Sequence, residues 1–189
     1  MTPEMLEFFK IRTRAHLYLV HKWSNVITNY IKCHDILPIE DIVKIIEERD
    51  RHDEGKWVEP EYTPYVYMTW KYREKRYGRT FEISEEIKEQ IHLATFHHVK
   101  SHRHHPEFWD ENAMVNPVDR DKAPETIVDG TKMPMCYIAS MVADWLAMSE
   151  ELGTDPKNWI KNNVNIRWKF TPDQLLLINK LVDVFLGQS

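Results

Sequence analysis

The chain is 189 residues long, 42% hydrophobic and 29% charged, enough apolar material for one domain with a buried core. Its formal charge of -5 and the scattering of its 25 Lys and Arg argue against the basic stripe that duplex nucleic acid selects, while leaving room for the local grip of a single nucleotide.

Helical periodicity dominates. From Glu4 to Ile31, Leu6, Phe9, Leu17, Val20, Trp23 and Ile27 recur mostly at steps of three or four, as one helix face requires. Pro38 opens a second helix in ILPIEDIVKIIEERDRHD, with Ile39, Ile42, Val43 and Ile46 as its apolar stripe. The aromatic-rich TPYVYMTWKYREKRYG gives a third, stopped by Gly78. Ser84 caps a fourth, whose Glu85 and Glu86 suit its positive end. The stripe of Ile83, Ile87, Ile91 and Ala94 in that helix runs into a histidine-rich stretch, FHHVKSHRHHPEFW, from Phe96 to Trp109. Asp110 to Pro134 is rich in Asp, Asn and Pro and is expected as a long loop of the kind that serves as a lid or binding loop. MCYIASMVADWLAMSEELG forms a fifth helix ended by Gly153. FTPDQLLLINKLVDVFLG forms the last, with Thr171 as cap, Pro172 at its first position and Leu175, Leu176, Ile178, Leu181 and Val182 as core. With no repeat, low-complexity tract or linker, the expectation is a single all-α domain of about six helices over residues 1–189.

Cys33 and Cys136 lie far apart and outside any CxxC pattern, so neither a disulfide framework nor a thiolate zinc site is expected, and a reducing, cytoplasmic compartment is. No apolar run approaches the roughly 20 residues of a membrane span, and MTPEMLEFFKIRTR lacks the apolar core of a signal peptide.

Four elements carry candidate chemistry. In RHDEGKW, the adjacent His52 and Asp53 pair an imidazole with a carboxylate, a donor set suited to Zn, Mn, Fe or Mg. Gly55 permits a tight turn after the pair, and Lys56 places a cation where a metal-bound phosphate is neutralised. A second pair, His34-Asp35, precedes Pro38 and reads as a turn. His16 lies four residues before Val20 and eight before Ser24, so it shares a face with inward residues; His21 is its rival. Asp144 lies among Met141, Val142, Ala143, Trp145 and Leu146, where an unpaired carboxylate is costly. In the histidine stretch, His97 and His98 extend the apolar stripe and His104 and His105 precede Pro106, so at least one of each pair is free to face inward. So many neighbouring imidazoles favour a metal over a merely solvated stretch.

Taken in order, His16, His52-Asp53, the cluster from His97 to His105, and Asp144 resemble the HD-domain metal-dependent phosphohydrolases. Those are all-α proteins in which His, His-Asp and Asp follow one another, with further histidines in the two-metal members. HDEGK, His52 to Lys56, looks like the HD-x-G-K variant of the branch that includes cyclic-dinucleotide phosphodiesterases. Over roughly Arg14 to Glu150 the chain is also similar to small phage and bacterial proteins grouped only as a domain of unknown function, which share the HD pair with a nearby Lys, an HH…HHPE block and a late Asp-Trp.

The resemblance implies an HD-type helical bundle that uses one or two divalent ions, Mn, Fe, Mg or Zn. One ion is expected on His16, His52, Asp53 and Asp144, and a second on Asp53 with cluster histidines, His97 and His105 among them. The implied reaction is attack of metal-activated hydroxide on the phosphorus of a nucleotide or similar small phosphate ester. Asp53 and Lys56 serve catalysis in this picture, with His98 or His104 protonating the leaving oxygen. Trp57, Tyr62, Tyr65 and Trp109 are candidates to stack a base. Two further readings share the ligand order: a di-iron oxygenase on the same scaffold, and a non-catalytic protein, phage-encoded and acting in a host cytoplasm, that sequesters a nucleotide. No membrane partner is expected, and a homo-oligomer is compatible with these features.

Overall fold

The computed structural model describes residues 1–117 and 122–187. Among these residues there are seven α-helices: α1 (Pro3–Cys33), α2 (Ile39–Asp50), α3 (Tyr62–Arg76), α4 (Glu85–Ser101), α5 (Met135–Leu152), α6 (Pro156–Asn163) and α7 (Pro172–Leu186). The local reasons are legible at most ends. Ser84 Oγ accepts from Ile87 N to cap α4, Gly153 closes α5 in the left-handed conformation at φ 64, and Thr171 forms a reciprocal capping box with Gln174 at α7. α6 adds a seventh helix to the six expected: Asp155 accepts from Lys157 N ahead of Pro156, which starts the helix. No helix of the described residues is long and apolar enough to cross a membrane.

Two stripes differ from expectation. On α2, Ile42 and Ile45 are buried while Ile39 and Val43 are exposed, so the inward face turns one residue from the predicted stripe. On α7, Leu176 is exposed and Leu177 takes its place beside Ile178, Leu181 and Val182. In both helices a run of consecutive apolar residues wraps around the axis, and only the arc facing the core, toward α1 and α5 for α2 and toward α5 for α7, is covered.

Of the stretch from Asp110 to Pro134, the described residues up to 127 form no helix or strand. Residues 118–121 of it lie outside the described residues. Its later half forms a short strand, β1 (Val128–Asp129), parallel to β2 (Trp168–Lys169), then a 3-10 turn at Gly130–Lys132. Asp129 N donates to Asp110 Oδ2 at 2.9 Å. The buried Gln174 side chain donates to the carbonyls of Gly130, Thr131 and Met133. Long-range hydrogen bonds of this kind are invisible to periodicity.

Helix α1 is the spine. Its C-terminal half, through Val20, Trp23, Ile27 and Ile31, packs into one apolar core with α2, α5 and α7. Its N-terminal end, through Met5 and Phe9, packs into a second with Tyr65, Val66, Met68 and Trp70 of α3 and Ala94 of α4. Between them on the same face lie the buried Thr13 and His16. The polar site therefore occupies the seam between two apolar clusters.

A candidate metal centre

His16 faces inward because Phe9, Thr13, His16 and Val20, at steps of four, three and four, are all buried on one side of α1. α2 ends at Asp50, and Asp53 then takes the left-handed conformation, φ 58 and ψ 19, a region Asp tolerates better than most side chains. That reversal buries His52 and Asp53 together, at 5% and 1% exposure. α4 contributes His98, the segment after it His104 and His105, and α5 Asp144.

The donor atoms converge on Asp53. Its Oδ2 lies 3.7 Å from Nε2 of both His16 and His52, and its Oδ1 lies 3.2 Å from His98 Nε2. Asp144 Oδ1 is 3.2 Å from His16 Nε2 and 3.7 Å from His52 Nε2. Donor atoms of His98, His104 and His105 lie within 4.8 Å of one another, as do those of His52, Asp53 and His104. These overlapping groups can be divided into two adjoining donor sets that share Asp53, one of His16, His52, Asp53 and Asp144, the other of Asp53, His98, His104 and His105. Ligands in neighbouring positions around an ion with bonds near 2.1 Å stand about 3 Å apart, so these separations fit a cation at the common focus.

The protonation pattern also fits. Burial and neighbouring imidazoles pull His104 and His105 below the usual histidine range, and His102 down to about 4. All three are neutral at pH 7. Burial favours the neutral acid at Asp53, but Lys56, His52 and His98 outweigh it and hold the carboxyl well below its ordinary range. At Asp144 burial is likewise outweighed, by His16 and His52. His16 behaves differently. Burial alone depresses it, yet the nearby carboxylates of Asp144, Glu151 and Asp53 raise it to about 9. It carries a proton wherever no other cation balances the two aspartates.

His52 Nε2, His104 Nε2, His105 Nε2 and Asp53 Oδ1 are buried with no hydrogen-bond partner. Native interiors rarely leave such atoms unsatisfied. Here they face one another, as atoms sharing a cation do. The donor set is imidazole and carboxylate, which suits Mn, Fe or Zn better than Mg, an ion that prefers oxygen alone.

Every predicted site residue except His97 lies in this cluster or on its cavity. His97 is corrected: its side chain is 48% exposed and its Nδ1 bonds to Glu61 Oε1 at 2.9 Å. Neighbours on a helix point about 100° apart, so only one of His97 and His98 can face the centre. His104 and His105 escape that limit because they lie beyond α4 in non-helical backbone. His98 and His104, expected as proton donors, stand among the converging donors instead. Lys56 forms an ion pair with Asp53 and lines the cavity. His21 and the His34-Asp35 turn are exposed.

Sequence reasoning missed the carboxylates behind the histidines. Glu48 Oε1 meets His104 Nδ1 at 3.0 Å, Glu61 Oε2 meets His98 Nδ1 at 2.8 Å, and Glu151 Oε2 lies 3.5 Å from His16 Nδ1. Burial is outweighed by the histidine partner at Glu48 and Glu61 and by His16 together with Arg12 at Glu151, so all three are held below the usual carboxylate range. Two had a spacing signal: Glu48 precedes His52 by one helical turn, and Glu151 follows Asp144 by two. Glu61 had none.

A cavity of about 730 Å³ opens from this cluster. Asp53, Lys56, His98, His104, His105 and Asp144 line it, together with the basic Arg12, Arg73, Lys75, Arg76 and Arg167 and the acidic Glu107 and Glu151, the last paired with Arg12 at 2.9 Å. Tyr65, Tyr72, Tyr77, Trp145, Trp159 and Trp168 supply aromatic surface. Of the aromatics proposed to stack a base, only Tyr65 lines this space. Trp57 and Tyr62 pack edge-on against Phe9, and Trp109 lies against Tyr137.

A family model, described as a family of unknown function (DUF5662), matches residues 5–183. No curated protein and no solved structure matches the chain.

Proposed function

This chain belongs to the family DUF5662, and we propose that it is a metal-dependent phosphohydrolase that cleaves a phosphate ester of a nucleotide or similar small molecule. One observation carries the reading. Glu61 is an ionised acceptor, so His98 must donate to it through Nδ1–H, leaving the Nε2 lone pair 3.2 Å from the equally electron-rich Asp53 Oδ1. Two acceptors held that close need a cation or a second proton between them. The unpartnered Nε2 atoms of His52, His104 and His105 around the same point favour the cation.

His16, His52, Asp53 and Asp144 would hold one ion, and Asp53, His98, His104 and His105 a second. Such ions supply Lewis acidity and bring a bound water's pKa to about 7. Asp53 serves both pockets, one oxygen each. Lys56, tethered to Asp53 and facing the cavity, is placed to meet a phosphoryl oxygen as charge develops there. The basic residues of the lining supply electrostatic attraction for an anionic substrate, and the aromatic surface offers faces for a base. With Cys33 exposed and Cys136 buried, both unpaired, a reducing, cytoplasmic setting accompanies the proposal.

The test is phosphate release from a panel of nucleotides with Mn²⁺, against Asp53→Ala. Release by the native chain and its loss by at least about 10³-fold in the variant is the expected result. A nucleotide recovered intact after tight binding would replace hydrolysis by sequestration. Bound iron with oxygen uptake and no phosphate release would replace it by oxygenase chemistry.

A further inference from the structure

Among the described residues Glu61 is the most deeply buried carboxylate outside the two ion pockets, 1% exposed, where Glu48 and Glu151 retain 15% and 16% side-chain exposure. It stands at the N-terminus of α3 yet makes no capping bond to that helix. A charge so deep in a protein is strongly unfavourable unless it is paired. Both of its oxygens are spent on histidines: Oε1 on His97 Nδ1 at 2.9 Å and Oε2 on His98 Nδ1 at 2.8 Å.

The space it fills is set by Gly55. A Cβ at residue 55 would stand 2.8 Å from Glu61 Oε1 and 3.1 Å from both Glu61 Cδ and His102 Cε1. Gly55 has no left-handed backbone to explain it; what it supplies is the volume occupied by the carboxylate. A flexible side chain would swing away from such a contact, but Glu61 is buried and tied at both oxygens.

We propose that Glu61 is the positioning residue of the second ion pocket: seated against Gly55, it fixes the Nδ1–H tautomer of His98 and aims that residue's Nε2 at Asp53. This rests on the reading that ions bind at the cluster. Glu61 touches neither the other donors of the pocket nor the cavity, and it acts through His98. Donor atoms of Glu61, His98 and His102 also come within 4.8 Å of one another. That trio is already satisfied internally, because His98 Nδ1 is spent on Glu61 and His102 Nδ1 lies 2.9 Å from the His98 carbonyl.

Mn²⁺ alone is the probe, added to the full chain after chelation. Bound ions are counted by elemental analysis after desalting, and their mutual coupling is read by electron paramagnetic resonance. The native chain is expected to hold two Mn²⁺ with a coupled spectrum. Glu61→Gln keeps the volume and removes the charge. A neutral amide accepts far more weakly than a carboxylate and its donor end competes for the same two imidazoles, so the hold on His98 loosens and second-site affinity should fall roughly 10–100-fold, leaving one ion with an isolated six-line spectrum. Gly55→Ala alters no acid and no histidine, and should give the same change by displacing Glu61. His97→Ala should keep two coupled ions, since His98 retains its partner. A spectroscopic change from two coupled ions to one is not what a general loss of packing produces, and cooperative melting of each variant confirms the fold.

Two coupled Mn²⁺ retained at native affinity in both Glu61→Gln and Gly55→Ala would overturn the proposal. Should Glu61→Gln fail to fold, Gly55→Ala decides alone. Three ions in the native chain would make Glu61 a ligand and also overturn it. Fewer than two would overturn it together with the paired-ion site. Two coupled ions with no phosphate released from any nucleotide would sink the hydrolase reading and leave the role of Glu61 standing.

Discussion

Lys56 shows how much one side chain is asked to do at this centre. It pairs with Asp53 and lies over the Tyr65 ring at 5.1 Å while facing the cavity. If its charge acts on substrate, Lys56→Met should lower kcat/KM for phosphate release by about 10²–10³-fold, with Mn²⁺ binding kept or tightened because Asp53 loses a competing cation. Loss of Mn²⁺ binding with unchanged turnover of the ion-loaded fraction would instead make Lys56 a structural partner of Asp53. At this scale the sequence was informative where spacing encodes direction. The inward direction of His16 was legible from its steps to Val20 and Ser24 and the need of Asp144 for a partner from the apolar residues around it, while their grouping with His52 and Asp53 came from the family resemblance. The choice between His97 and His98 was not legible, since it depends on how α4 is rotated against α3. Glu61 was hidden because it belongs to the site only through a fold that brings residues 61 and 98 together.

Between elements, the 3-10 turn at Gly130–Lys132 is fastened by α7. Gln174 is 3% exposed; its Nε2 serves three carbonyls of residues 130–133 and its Oε1 accepts from Thr171 N at 2.7 Å. Thr171→Ala removes a cap alone and should cost about 1 kcal/mol. Gln174→Ala removes the same box and strands buried carbonyls, so it should cost about 2–3 kcal/mol or more. Chemical denaturation with a fixed m-value would order the two variants, and equal losses would show that the carbonyls find other partners. The helices on either side of this region were predictable from their own caps and stripes, including Ser84, Gly153 and Thr171. The parallel pairing of Val128–Asp129 with Trp168–Lys169 was not, because two-residue strands some forty residues apart leave no periodic trace.

For the whole molecule, placing charged groups in the seam between two apolar cores links stability to pH and to metal. In the ion-free protein the His16 pKa of about 9 exceeds the ordinary 6.5. Its proton therefore stabilises the fold fully below pH 6.5, and that contribution, on the order of 3 kcal/mol, is lost as pH rises through 9. The buried His102, His104 and His105 have the opposite sign. Their depressed values mean that the unfolded chain takes up protons first as pH falls below 6.5, and the depressed Asp53 and Asp144 add to the acid-side loss below their ordinary 3.8. Ion-free protein should thus melt highest near pH 6.5 and lower on both sides. A bound divalent ion replaces the His16 proton, so binding should release a proton at pH 7, and the gain in Tm on adding Mn²⁺ should grow from pH 6 to pH 8.5. At a free concentration of 100 times Kd that gain corresponds to about 2.7 kcal/mol. Calorimetric melting across this range, with and without Mn²⁺, measures both trends. An ion-free Tm that stays level from pH 6.5 to 9, with a Mn²⁺ shift of constant size, would mean that His16 is not the proton the metal displaces.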